Sequence, residues 1–415
     1  MAKYYKAPKP TYSNWEWFKF IAARTVFPPI LLWDLLKMGA NKWLGGYVGR
    51  IVLPAQTLGF TGVSESDLGR YNTSNYTCEK YDVETHDGVH LDTVQITHRS
   101  QKDRDPKFQQ YIINFVGNGA CYKDIMDEMQ RDANELKVNV IGFDLRGVGS
   151  STGHAQSKDD LVTDGIAQVQ RLLDAGVSPE NITLKAHSLG AGVASLVAHH
   201  FLQQDIRINV FSSRSFSSIT NFVVGVIRRD YNEESPRGSL LARGNKEPIG
   251  KQILGWMLKP IIKLAVSLVN WEISAGDAFK EIPEEFRDYM VVRSKKDIRA
   301  DRLDDQVIPH YASVHEALSS ERKDKKAAID KLIKAAEKSH DVEKVSRLKA
   351  ERNRIKESHK MDTISTDRYA EGHNSPWNGL KNRLGTNGHE FFKAFFQRAD
   401  KDHGVHETQQ SIKYL

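Results

Sequence analysis

An α/β fold with a mostly parallel central sheet is what this 415-residue chain predicts. Three observations point to it. Short apolar runs alternate with helical segments between residues 110 and 213. A strand-like alternation turning at Asp87-Gly88 precedes them, and one more apolar run, Asp288 to Ser294, resumes the pattern after a long interruption. Runs with no polar face suit strands covered by helices on both sides. The length suits one large α/β domain with insertions, or two domains.

The elements follow in order. "KYDVETHDGVHLDTVQITH" alternates apolar and polar residues about Asp87-Gly88 and reads as a β-hairpin. "QYIINFV" (110–116) is a buried strand ending at Gly117, a helix runs from about Lys123 to Leu136, and "VNVIGFD" (138–144) is the next strand. Residues 157–175 form a helix whose apolar positions are Leu161, Ile166, Val169 and Leu172. "ITLKAH" is a strand, Gly190 to Gln204 a helix rich in small residues, and "INVFSS" (208–213) a strand. Residues 218–285 break the alternation with two apolar helical candidates, "ITNFVVGVI" and "ILGWMLKPIIKLAVSLVNW", a helical cap insertion. Residues 318–360 are charged and helical, a projecting hairpin with Ile329, Leu332, Ile333 and Ala336 on one face. The organisation expected is an arm over 1–77 and an α/β domain over 78–415 carrying the cap insertion 218–285 and the charged helical insertion 318–360.

Composition narrows the function. Lysine plus arginine is 59 and aspartate plus glutamate 53, a mild excess of +6 that does not indicate nucleic acid. The two cysteines, Cys78 and Cys121, form no CxxC pair, so no disulfide framework or zinc site is expected. No secretory signal peptide is expected. Residues 13–55 hold Trp15, Trp17, Trp33 and Trp43, four of the seven tryptophans. Lys19, Arg24, Asp34 and Lys37 interrupt this stretch, Pro28-Pro29 breaks any helix, and it falls short of the ~20 apolar residues a membrane span needs. Such an arm either packs on the main domain or lies at a membrane interface; packing is the commoner use of an aromatic stripe.

"LKAHSLGAG" carries the chemistry. Ser188 follows a strand and precedes a helix, with Ala186 and Gly190 beside it. A nucleophilic serine on a tight strand-to-helix turn needs small neighbours; the plain alternative is a serine capping a helix. A serine nucleophile needs a base, and the base an orienting acid, which in this architecture follow in the order Ser, Asp, His. Asp305 precedes "QVIP" after the strand 288–294, with Asp297 and Asp304 as rivals. His373 lies in the loop "YAEGHNSPWNGL", with His389, at the start of the last helix, as its rival. Oxyanion donors are expected from the backbone N–H groups of Leu189 and of Asn118, in the glycine-rich "VGNGA" loop. "DLRGVGSSTG" fails the dinucleotide spacing because Thr152 stands where the third glycine would be. No metal or organic cofactor is implied.

Together "VGNGA", "DLRGVGSSTG", "AHSLGAG", "DDQVIP" and "EGHN" resemble the α/β-hydrolase superfamily over about residues 78–400. More narrowly, "RTVFPPILLWD", "GRIVLPAQ" and "SRSFSS" resemble the SidB/Sdb-type effectors of Legionella and related chlamydial hydrolases. That resemblance implies a lipase-like protein exported from the bacterial cytoplasm into a host cell by type IV secretion. It departs from the superfamily at Ala186, where a glycine is usual, and at Val116, where a His-Gly pair is common. The expected function is serine hydrolysis of carboxylic esters, of lipid or other apolar acyl type, with Trp256 and Trp271 in the cap and the aromatic arm favouring lipid. A peptidase or thioesterase using the same triad is an alternative. So is a non-catalytic scaffold binding a membrane, or a host protein through residues 318–360.

Overall fold

The computed structural model describes residues 2–10, 14–229, 247–293, 305, 307–364 and 372–399. The chain divides into two compact units, 1–210 with 260–273, and 211–259 with 274–415.

The first unit holds strands β1 (Lys3–Lys6), β2 (Tyr76–Glu84), β3 (His90–His98), β4 (Tyr111–Phe115), β5 (Asn139–Phe143) and β6 (Ile182–His187), in the order β1-β2-β3-β5-β4-β6. β3 runs antiparallel to β2 and β5, whereas β4 is parallel to both β5 and β6. Apart from the edge strand β1, this is the strand order of an α/β-hydrolase sheet, as expected from the sequence. Every residue of β4 and β5 is buried, which explains why both read as largely apolar runs with no polar face; Asn114 and Asn139 are the buried polar exceptions.

The longer helices that accompany these strands are α1 (Asn14–Val26), α2 (Pro28–Ala40), α3 (Gly46–Val52), α4 (Met126–Leu136), α5 (Lys158–Asp174) and α6 (Leu189–Leu202). Helix α5 opens on a capping box in which Ser157 and Asp160 satisfy each other's backbone N–H. The "DLRGVGSSTG" segment is a structural loop. Arg146 bonds Asp164 of α5 at 2.8 Å and Asp87 of the hairpin turn at 2.7 Å, and Gly147, Gly149 and Gly153 take positive φ. On β6, the fully buried Lys185 reaches Asp132 and Glu128 of α4, each at 2.6 Å.

The arm does not bury its apolar side chains. Trp15 is 61% exposed and Trp43 83%, and Trp17, Phe18, Phe20, Leu32, Leu36, Met38 and Tyr47 are exposed as well. Packing on the domain, the commoner use of such a stripe, therefore fails for most of α1–α3. The anchored part is the far end. A Cβ on Gly49 would stand 2.2 Å from the Ala155 carbonyl oxygen, and Trp271 Nε1 donates to the Gly45 carbonyl at 3.1 Å. Trp271 is fully buried, so it is a core residue and not a surface available to lipid.

In the second unit, β7 (Asn209–Ser213), which begins in the first, β8 (Arg287–Arg293), β9 (Lys360–Thr363) and β10 (Leu380–Asn382) follow in that order. β9 is parallel to β8 and antiparallel to β10. The longer helices are α7 (Ile219–Arg228), α8 (Ile249–Leu268), which continues into the first unit from Pro260, α9 (Ala275–Glu281), α10 (Ser319–Lys338), α11 (Val342–Glu357) and α12 (388–399). Phe211 centres an aromatic core with Trp377, Phe392 and Phe395, at 5.4–5.5 Å between ring centroids. Helices α10 and α11 form a hairpin around Ile329, Ile333, Ala336 and Leu348. Leu332, expected on that face, is 51% exposed: positions i, i+4 and i+7 share the stripe and Leu332 falls at its edge.

Asp144, just after β5, carries a stability prediction. Its Oδ1 accepts the Tyr122 N–H at 2.8 Å while its buried Oδ2 has no partner. Burial pushes its carboxyl up to about 8, well above the ordinary 3.8, although the Tyr122 bond opposes this. The folded chain keeps this proton over a range where the unfolded chain has lost it. The group's contribution therefore falls as pH rises from about 4 to about 8, by roughly 1.4 kcal/mol per unit. Asp144→Asn keeps the acceptor for Tyr122 and should lose less stability than wild type between about pH 6 and pH 8. Urea midpoints with equal pH slopes in the two proteins would contradict this.

Candidate active site

Ser188 occupies the single residue between β6 and α6, at φ 53° and ψ −120°. An L residue pays for that conformation in strain of about 1–3 kcal/mol, and it is held only where the surroundings over-determine it. They do so here. A Cβ on Gly190 would meet the Val116 oxygen at 2.3 Å and the Phe115 oxygen at 2.5 Å, so α6 starts directly over the end of β4. The chain reverses within one residue, and the expected alternative of an ordinary capping serine does not describe it: its side chain makes no cap hydrogen bond.

The loop after β4 lies against this turn. A Cβ on Gly117 would be 3.2 Å from His187 Cδ2 and 3.5 Å from Ser188 Cβ. Asn118 follows, its side chain exposed and its carbonyl accepting the Ala55 N–H at 3.1 Å. That bond ties the "VGNGA" loop to the segment after α3. Leu189 is buried at the N-terminus of the 14-residue α6, where backbone N–H groups and the helix dipole favour negative charge.

In the second unit, Asp305 and His373 are both buried, and His373 Nδ1 lies 2.9 Å from Asp305 Oδ2. The other carboxylate oxygen accepts the N–H groups of Val307 and Ile308 at 2.8 and 2.9 Å. Burial would raise the Asp305 carboxyl. The charge and hydrogen bond of His373, with the two N–H donors, outweigh it and hold the group below its ordinary value. An ionised Asp305 fixes Nδ1 of His373 as the protonated nitrogen and makes Nε2 the basic one. His389 is buried in the first turn of α12, while the Asp305 carboxylate engages His373. The rivals Asp297 and Asp304 lie outside the described residues.

Two arginines escaped the sequence reading. Arg214, directly after β7, is buried at φ 52° and donates to the carbonyls of Gly372 and Ser375 at 3.0 and 2.7 Å, bracketing His373. Arg229 donates to the Asp305 carbonyl at 2.5 Å. The available sign was "SRSFSS", a basic residue at the end of a buried strand. Gly372 is needed because a Cβ there would stand 2.4 Å from Val292 Cγ1.

No protein-family model matches this chain, and no curated protein matches it. Among solved structures it is similar to an α/β hydrolase from Vibrio vulnificus, at 15% identity and TM-score 0.40, over 61% of this chain and 76% of that one. It is also similar to an esterase from Pyrococcus furiosus, at 15% identity and TM-score 0.36, over 73% and 84%. A third is an acetyl xylan esterase from Paenibacillus sp. R4, at 10% identity and TM-score 0.40, over 66% and 85%. Likeness of this degree adds nothing to what the strand order itself says.

The strain at Ser188 is measurable. Glycine tolerates φ 53° and alanine does not, so Ser188→Gly should be more stable than Ser188→Ala by about 1 kcal/mol, despite glycine's entropic cost. Denaturant midpoints that rank alanine above glycine would show that the turn is relaxed.

Proposed function

We propose that this chain is a serine hydrolase acting on carboxylic esters. The observation carrying the reading is the backbone of Ser188, held at φ 53° between a buried strand and a buried helix, where a residue without a chemical task would cost stability for nothing. In this reading Ser188 Oγ attacks the ester carbonyl and passes its proton to His373 Nε2. Asp305 orients His373 and stabilises the imidazolium. The N–H groups of Asn118 and Leu189 hold the oxyanion. The tetrahedral intermediate collapses, His373 returns the proton to the leaving alcohol, and water then releases the acid by the same steps. The reading requires His373 to reach Ser188 during turnover.

The substrate we favour is a lipid or other apolar acyl ester met at a membrane surface. Helices α1 and α2 have 13 residues each, about 20 Å, too short to cross a hydrocarbon core of about 30 Å. No described helix is long and apolar enough to do so. Trp15, Trp17 and the leucines of α2 are exposed, Trp33 is half-buried, and cations lie among them: Lys19 over the Trp15 ring and Arg24 over Phe20. That pairing suits a helix lying in the headgroup region. Trp256, on α8, is 76% exposed and fits the same use. The effector role rests on the resemblance to the Legionella proteins alone.

A fluorophosphonate probe tests the chemistry. Wild type should be labelled once and Ser188→Ala not at all. Ester hydrolysis should fall about 10³-fold or more in Asp305→Asn and His373→Ala. Equal labelling of wild type and Ser188→Ala, read by intact mass, would refute the assignment of Ser188.

Vesicle sedimentation tests the surface. Wild type should sediment with vesicles containing an anionic lipid, and Trp15→Ser/Trp17→Ser/Trp43→Ser should remain in solution while labelling of Ser188 is unchanged. Undiminished sedimentation of the triple variant would remove the arm from this role.

A further inference from the structure

The second unit contains a concave cationic cluster that includes neither Asp305 nor His373. A cavity of about 260 Å³ lies between the start of α10, the end of α11 and the beginning of β9. Arg322, Lys323, Lys326, Lys356 and Lys360 line it with a single carboxylate, Glu316; Lys356 also lies 3.7 Å from Glu357, outside the lining. Arg322 and Lys326 are spaced i, i+4 on α10 and Lys323 and Lys326 i, i+3, so these like charges share one face and repel.

The lone carboxylate is already engaged. Glu316 Oε2 lies 3.4 Å from His310 Nε2, and that contact, ahead of an opposing burial effect, holds its carboxyl below the ordinary value. Arg322 is oriented by neutral acceptors, the Tyr289 hydroxyl at 3.1 Å and the His315 carbonyl. Among the described residues, Arg322, Lys323 and Lys326 form no ion pair with a carboxylate. Behind them His315 is buried, its Nδ1 3.0 Å from the Tyr289 hydroxyl. Burial first, then Arg322, holds its imidazole well below the ordinary value, so it adds no charge at neutral pH. Arg322 and His315 are therefore held by neutral partners, and the positive charge of the cavity comes from Arg and Lys.

We propose that this cavity binds a phosphoryl group, with Arg322 as the planar donor and Lys323 and Lys326 as point charges. A dianion supplies the counter-charge that the cavity lacks. A guanidinium held by neutral partners matches phosphate oxygens in a way a mobile ammonium cannot. The phosphoryl group belongs either to a small soluble phosphate or to a phospholipid headgroup; the recognition chemistry is the same.

The full-length chain is titrated with inorganic pyrophosphate by calorimetry. In parallel it is sedimented with phosphatidylcholine vesicles with and without phosphatidic acid. Both are repeated with Lys323→Glu/Lys326→Glu, whose exposed and half-exposed positions leave the fold undisturbed, as circular dichroism and probe labelling at Ser188 would verify. Saturable pyrophosphate binding, weakened about tenfold or more by the double substitution and by salt, supports a soluble phosphate when the two proteins sediment alike. Stronger sedimentation of wild type than of the double variant, selective for phosphatidic acid, supports a headgroup. No saturable pyrophosphate binding together with equal sedimentation of the two proteins overturns the proposal.

Discussion

The close approach of α6 to the end of β4 is the constraint on which the first unit's candidate chemistry depends. β4 and β6 are parallel neighbours, with Phe115 opposite Ala186, so their ends lie side by side. A helix leaving β6 must clear the carbonyl groups of Phe115 and Val116, and only glycine at 190 fits against them. That leaves one residue to make the reversal, and Ser188 takes an unfavourable φ to do it. What compensates is burial along α6, where Leu189, Val193, Ala194, Val197 and Phe201 are all nearly inaccessible. The small residues at the start of this helix are therefore also what lets a strained serine persist.

The second unit solves a different problem, an ionised carboxylate taken out of water. Asp305 has two backbone donors on one oxygen and an imidazole on the other, which offsets a desolvation cost of several kcal/mol for an unpaired charge. The partner must also be held. Arg214 spends two hydrogen bonds on the loop carrying His373 and one, at 3.0 Å, on the Ser213 hydroxyl. Arg214 has positive φ as well. Both units thus place a strained residue directly after a buried strand, and in the second that residue positions a loop instead of being aimed at a reaction.

The strands and Ser188 were legible because local rules govern them: apolar runs bounded by glycine, and a serine between strand and helix with small neighbours. Asp305 was harder to separate from Asp297 and Asp304 because the distinguishing contacts are two backbone N–H groups and a histidine 68 residues away. Lys185 was not legible at all. A charge inside "ITLKAH" gives no sign that Asp132 and Glu128 wait on a helix about 50 residues earlier. Trp271 and Trp256 look alike in sequence, and one is core while the other is exposed. What decides is Gly45 and Gly49, which give Trp271 a close backbone to pack on.

That same pair of glycines separates the arm into an anchored end and an exposed remainder. Burying a large apolar side chain is worth about 1.5–3 kcal/mol, so leaving ten or more of them in water forgoes a sum comparable to the stability of a whole domain. A chain that has placed Lys185, Arg146 and Arg293 into satisfied interior ion pairs has not been careless with polarity. Charges sit inside with partners while tryptophan and leucine sit outside with lysine and arginine. In the proposed reading that inversion is economical because α1 and α2 meet a surface other than bulk water. An apolar partner helix would remove the leucines from water but offers nothing to the Lys19 ammonium over the Trp15 ring; Arg24, over Phe20, already pairs with Asp34 at 2.8 Å. A headgroup layer accommodates both, because it offers hydrocarbon on one side and anionic oxygen on the other.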